Sequence, residues 1–133
     1  MDFLTPYRPQ ILSIFRIVTG LLLFHYGTSI FFGIPAGMPA MAFLQWPGWY
    51  SGIIELVFGF LLLIGLFSKF SAFILSGLCA FAFFLGHVFT AKGFNIIPLQ
   101  NGGATAALFC FACLYLAAAG PGPWSVDAAR GKA

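Results

Sequence analysis

The sequence predicts an all-α fold: an antiparallel bundle of four transmembrane helices with both termini on one side. Three observations carry this expectation. Apolar residues make up 61% of the 133, against roughly 45–50% in soluble domains. Charged residues make up 7%, against about 25% in soluble proteins, too few to clothe a surface in water. The apolar residues also fall into four long runs, interrupted by Gly, Pro and Lys. With 18 Phe and a mean hydropathy of +1.00, the composition excludes a disordered chain and an ordinary soluble enzyme.

A hydrocarbon core of about 30 Å requires about 20 helical residues. The first run, about 11–32, ends at Gly33-Ile34-Pro35. It exceeds a signal core and lacks a small-residue cleavage site, so it reads as a retained span. The second, about 50–67, is expected to break at Ser68-Lys69. The third follows at once, about 70–90, as an antiparallel neighbour. The fourth, about 102–119, stops at Gly120-Pro121-Gly122-Pro123 and leaves a short tail, 120–133. The whole chain, 1–133, reads as a single membrane domain. None of the runs alternates apolar and polar residues as barrel strands do. Helices also satisfy their own backbone in lipid.

Basic residues set the expected orientation. Both termini and the second connection carry Arg8, Lys69, Arg130 and Lys132, and the opposite side carries Lys92. The positive-inside rule then places both termini in the cytoplasm. Residues 33–49 are uncharged and include Trp46 and Trp49, with Tyr50 next. They are expected to rest at the outer interface, as a membrane-surface segment or as a lid. Trp124 takes the matching inner position, and Ser125 is expected to cap a short helix running through Asp127. Glycines in the spans, among them Gly20, Gly27, Gly52, Gly59, Gly77 and Gly86, read mostly as close-packing positions.

Ionisable groups inside hydrocarbon cost about 2.5–3.5 kcal/mol each on insertion scales and are usually functional. Placed by a rise of about 1.5 Å per residue, His25, Glu55, His87 and Asn101 fall in one layer near the outer boundary. Arg16 lies nearer the cytoplasm. A buried carboxyl either takes up a proton or finds a donor, and a nearby histidine supplies either. The bland alternative is a static hydrogen-bond cluster that fixes helix register. Arg16 and His25, nine residues apart, point in opposite directions on a regular helix, which leaves snorkelling and ion pairing open for Arg16. His87 shares a stripe with Phe83, Ala80 and Ser76. Asn101, Thr105, Leu108, Ala112 and Tyr115 form another, and both are expected to face inward.

Cys110-Phe111-Ala112-Cys113 lies deep in the fourth run without a charged neighbour, so it reads as small apolar packing rather than redox chemistry. With Cys79 also in an apolar run, no extracellular disulfide framework is expected. The two histidines and the carboxyl match no metal-ligand spacing, and no metal is assigned. Basic residues occur singly, so no nucleic-acid partner is expected.

In order and spacing, several fragments resemble the DoxX family of small bacterial four-helix membrane proteins. They are Arg16-Ile17-Val18-Thr19-Gly20-Leu21-Leu22-Leu23-Phe24-His25-Tyr26-Gly27, Ile54-Glu55-Leu56-Val57-Phe58-Gly59 and Phe84-Leu85-Gly86-His87. Asn101-Gly102-Gly103 and Gly120-Pro121-Gly122-Pro123-Trp124-Ser125-Val126-Asp127 complete the pattern. The resemblance implies positions, namely Arg16, His25, Glu55, His87 and Asn101, rather than a reaction. It also implies the bacterial inner membrane and a link to quinone oxidoreductase or oxidative-stress systems. Ala104 departs from relatives that carry an acidic residue there. The expected function is an accessory of a membrane redox system, with no cofactor built into the chain but a quinone bound between its helices. Its expected partners are the lipid bilayer, a redox partner protein and a second copy of the chain. Two other classes stay open, a proton-coupled or small-solute carrier and a membrane scaffold without catalysis.

Overall fold

A computed structural model of the chain describes residues 2–32, 48–90 and 93–131. A single 3-10 turn, Thr5–Tyr7, leads into α1 (Arg8–Phe32), followed by α2 (Gly48–Ile64) and α3 (Ser68–Phe83). A wider π turn, Phe84–Val88, prolongs α3 and gives way to a hairpin of β1 (Phe89–Thr90) and β2 (Gly93–Phe94). α4 (Pro98–Asn101), α5 (Ala104–Ala119) and α6 (Val126–Ala129) complete the order. Thr5–Phe32 and Ser68–Val88 are each long and apolar enough to cross a membrane, while Trp49–Ile64 and Ala104–Ala119 are shorter apolar helices.

Boundaries follow local chemistry. α1 starts ahead of the expected residue 11 because Pro9 sits in the first turn, where a missing N–H costs nothing. α2 ends at Ile64 rather than at Ser68-Lys69. Gly65 takes the left-handed conformation, φ 78°, and Leu66 N–H closes the turn on Leu61 O at 2.9 Å, a glycine-terminated helix end. A side chain at Gly65 would collide with Ser125. Regular α3 stops at Phe83 instead of continuing to Thr90, since Phe89 N–H bonds back five residues to Phe84 O.

The helices pack as two antiparallel hairpins. On α1 and α2, Gly20 faces Leu63, Gly27 faces Leu56 and Gly59 faces Phe24, so closely that a Cβ at Gly20 would stand 2.6 Å from Leu63 N. Close backbone approach replaces the hydrophobic effect as the source of packing energy between helices in lipid. Among the described residues Gly77 and Gly86 meet no neighbour within 4 Å and do not serve this purpose. α3 meets α5 where Ser76 Oγ donates to Cys110 O at 2.8 Å and where Gly103 lies against the Phe83 ring. Leu23, Leu62, Leu75, Cys79, Cys113 and Leu116 form the common core.

The expected inward stripe of the fourth run is corrected. Leu108 is 73% and Tyr115 57% exposed, whereas Cys113 is fully buried. α5 turns its small thiol-bearing face onto α3, because small side chains allow the closer approach. α1 and α5 consequently stand apart, bridged by ring contacts of Phe15 with Tyr115 at 6.5 Å and Tyr26 with Phe109 at 6.3 Å.

Candidate functional site

The glycine seam that presses α2 against α1 determines where Glu55 points. Gly52, Glu55 and Gly59 recur at three- and four-residue spacing, so they share one side of the helix. Glu55 thereby enters a cavity of about 320 Å³ between the helices. Tyr26 of α1, Cys79 of α3, His87 of the π turn, and Thr105 and Phe109 of α5 complete its principal walls. Glu55 Oε2 is buried there without a hydrogen-bond partner among the described residues. A carboxyl oxygen so placed is costly unless it carries a proton or meets a donor.

His87 owes its position to the π turn, whose extra residue shifts the helical phase so that His87 and the buried Val88 both turn toward the bundle. Its Nδ1 lies 3.2 Å from Asn101 O. The Asn101 side chain is otherwise engaged. Its Oδ1 accepts from Gly103 N–H at 2.7 Å and its Nδ2 donates to Asn95 O at 2.9 Å. Asn101 therefore positions His87 through its backbone. His87 also borders a second, polar cavity of about 500 Å³ with Thr90, Asn95, Gln100 and Asn101. It stands between a polar mouth and the chamber that holds Glu55.

The structure brings together Glu55, His87 and Asn101 and leaves His25 and Arg16 elsewhere. His25 is exposed, and its backbone oxygen accepts from Ser29 Oγ at 2.7 Å and Thr28 Oγ1 at 3.0 Å. Arg16 is 1% exposed at the opposite end of α1. It neither snorkels nor forms an ion pair within 4 Å among the described residues. Its Nη1 donates to Pro121 O at 2.6 Å and its Nη2 to Trp124 O at 2.8 Å, with a longer contact to Leu63 O at 3.4 Å. Trp124 N–H donates to Ser13 Oγ at 3.1 Å. Ser125 Oγ caps α6 by accepting from Ala128 N–H at 3.0 Å.

Asp127 completes this tail clamp. Its carboxylate accepts from Phe67 N–H at 2.9 Å and Ser68 N–H at 2.8 Å, and its own N–H donates to Gly65 O at 2.8 Å. Burial alone would raise the Asp127 pKa. The backbone donors Ser68 and Phe67, with the charge of Arg130, outweigh it and hold the group below its ordinary range.

Sequence reasoning passed over Tyr26 and Cys79 as site residues. Tyr26 follows the buried Leu23 by three, and Cys79 follows Ser76 by three and Leu75 by four, spacings that mark a shared helix face. Cys79, Cys110 and Cys113 are free thiols, two of them buried. Among the described residues no group of three or more His, Cys, Asp or Glu is placed to hold a metal. Trp46 and most of segment 33–49, the expected lid, lie outside the described residues; Trp49 packs edge-on against Phe31 at 5.5 Å and Tyr50 at 5.4 Å.

The model of the DoxX family matches residues 11–88, more than half of the chain. The chain belongs to the DoxX family. The match includes Arg16, His25, Glu55 and His87 and stops short of α5 and of the clamp's tail residues Pro121, Trp124 and Asp127. A relative from Haemophilus influenzae, described as an uncharacterized protein, is 36% identical over 136 residues, covering 96% of this chain and 96% of its own. No solved structure matches the chain significantly. As a DoxX member with long apolar helices, it is a membrane protein.

Proposed function

We propose that this DoxX protein serves a membrane redox system by binding the ring of a quinone in the Glu55–His87 cavity. The observation that carries the reading is the buried Glu55 oxygen, unpartnered among the described residues, in a cavity of about 320 Å³ that His87 also lines. A quinone supplies ring carbonyl oxygens that accept hydrogen bonds and, when reduced by electrons from a partner protein, take up protons. Glu55 in its protonated form donates toward such an oxygen, which relieves the cost of an unpartnered buried group. His87, held by Asn101 O and bordering the polar mouth, passes protons between that mouth and the chamber. Tyr26 and Phe109 meet edge to face at 6.3 Å and offer the aromatic wall for a flat ring.

In this reading α1, α2, α3 and α5 all span the bacterial inner membrane, with both termini in the cytoplasm. The 17 residues of α2 span about 25 Å, which a bilayer accommodates by slight thinning. In the sequence, Arg8, Lys69, Arg130 and Lys132 fall in the termini and the second connection, against Lys92 in the third, which supports the orientation. The polar mouth beside His87 also favours a second reading, a proton-coupled carrier working as a dimer.

Replacing Glu55 with Leu lowers quinone affinity by about tenfold or more, near 1.4 kcal/mol, in equilibrium binding to the purified protein. Unchanged affinity contradicts the redox reading. Flux of protons through vesicles reconstituted with the protein, lost in Glu55→Leu, supports the carrier.

A further inference from the structure

A third cavity, of about 670 Å³, runs between α1 and α5. Phe15, Val18 and Leu22 wall it on one side, and Leu108, Ala112 and Tyr115 on the other. It exists because both helices spend their close-packing faces elsewhere. Gly20 and Gly27 press α1 onto α2, and Cys113 is buried against α3. Thr105 and Phe109 line both this groove and the Glu55–His87 cavity, so the two spaces adjoin across those side chains. From Thr105 to Tyr115 the groove follows ten residues of α5, about 15 Å, and the Phe15–Tyr115 ring contact at 6.5 Å closes its far end.

Among the described residues, each of the other seams is bridged by a close contact. Backbone meets backbone between α1 and α2 at Gly20 and Leu63. The Ser76–Cys110 hydrogen bond ties α3 to α5, and the Phe58 and Phe70 rings meet at 5.9 Å between α2 and α3. For a molecule with its polar end beside Glu55 and an apolar chain too long for that chamber, the adjoining apolar space is the groove between α1 and α5.

We infer that the α1–α5 groove holds the hydrocarbon tail of the ligand whose ring occupies the Glu55–His87 cavity. The ligand class is a ring-headed lipid with a long, slim apolar tail, entering sideways from the bilayer. This rests on the quinone reading above and adds to it the tail, the route and the residues that select for both. Val18 and Leu108, 48% and 73% exposed, then contact the tail and not bulk lipid alone.

The test compares a decyl-tailed benzoquinone with its tailless parent, by equilibrium binding to the full chain in lipid nanodiscs, with affinities expressed per mole of lipid. The wild type is expected to bind the tailed probe at least tenfold more tightly. Ala112→Trp and Val18→Trp fill the groove from opposite walls. Each is expected to erase that preference while leaving the tailless probe within about twofold. Using both variants separates groove filling from misfolding at either site. A preference that survives in both overturns the groove assignment alone, provided that Glu55→Leu still weakens both probes. Failure of the wild type to bind either probe overturns the chamber reading, and the groove with it. A variant that changes from dimer to monomer while keeping the preference assigns the groove to a second copy of the chain and also overturns the inference.

Discussion

Arg16 acts on backbone, and that is why its role was not legible from side-chain types. Its guanidinium forks between the Pro121 and Trp124 carbonyls at 2.6 and 2.8 Å, partners that any residue at those positions would supply. Composition offered snorkelling or an ion pair; the backbone carbonyls of residues 121 and 124 carry no such signal. Arg16→Ala leaves these acceptors buried and is expected to cost roughly 3 kcal/mol, read as a lower Tm and faster proteolysis of the tail. Arg16→Lys is expected to recover less than half of the loss, since an ammonium lacks the planar fork. Asp127 adds a pH dependence at the same end. Its folded pKa lies below the ordinary 3.8, so its contribution is complete above about that value and fades as pH falls through the folded pKa. Pepsin cleavage of the tail is expected to rise as pH drops below 3.8, and Asp127→Asn is expected to remove that dependence. Glu55 and His87 stood out in the sequence because charge in an apolar run is expensive enough to need a reason, and the two line one cavity. His25 gave the same signal, yet it is exposed, so cost alone does not specify a shared site.

At the scale of elements, the two seams differ in how they were encoded. Gly20, Gly27 and Gly59 read as close-packing positions without a named partner, and the structure places each against opposing backbone in the α1–α2 seam. Gly20→Ala puts a methyl 2.6 Å from Leu63 N, where backbone must move, and is expected to cost about 1–3 kcal/mol in thermal or denaturant unfolding. Gly77→Ala meets open space and is expected to be neutral or stabilising by up to about 1 kcal/mol. α5 deceived because it is apolar on all sides. Thr105 and Tyr115 suggested an inward polar stripe, but in lipid the closest-packing face wins, and Cys113 with its small neighbours provides it. The end of α3 was hidden for another reason. A π turn and a regular helix have the same composition, and only the Phe89-to-Phe84 hydrogen bond tells them apart. That turn gives His87 its two cavities, as π turns often do at functional sites.

For the whole molecule, the tail clamp draws the start of α1, the α2–α3 turn and the segment after α5 to one end, through Ser13, Arg16, Gly65 and Ser68. The chamber of Glu55 and His87 opens toward the other end, beside the β-hairpin. Four spans with cytoplasmic termini predict that a fluorescent protein fused after residue 133 is bright. They also predict that alkaline phosphatase fused after Thr90 is active, and the reverse pattern contradicts that orientation. The whole account turns on Glu55 and His87 acting on one ligand in one chamber. A double-mutant cycle of quinone binding across Glu55→Leu and His87→Ala tests this most directly. The account predicts a coupling energy of at least about 0.5 kcal/mol between the two sites. Losses that add within about 0.3 kcal/mol, or no loss from either variant, would contradict it.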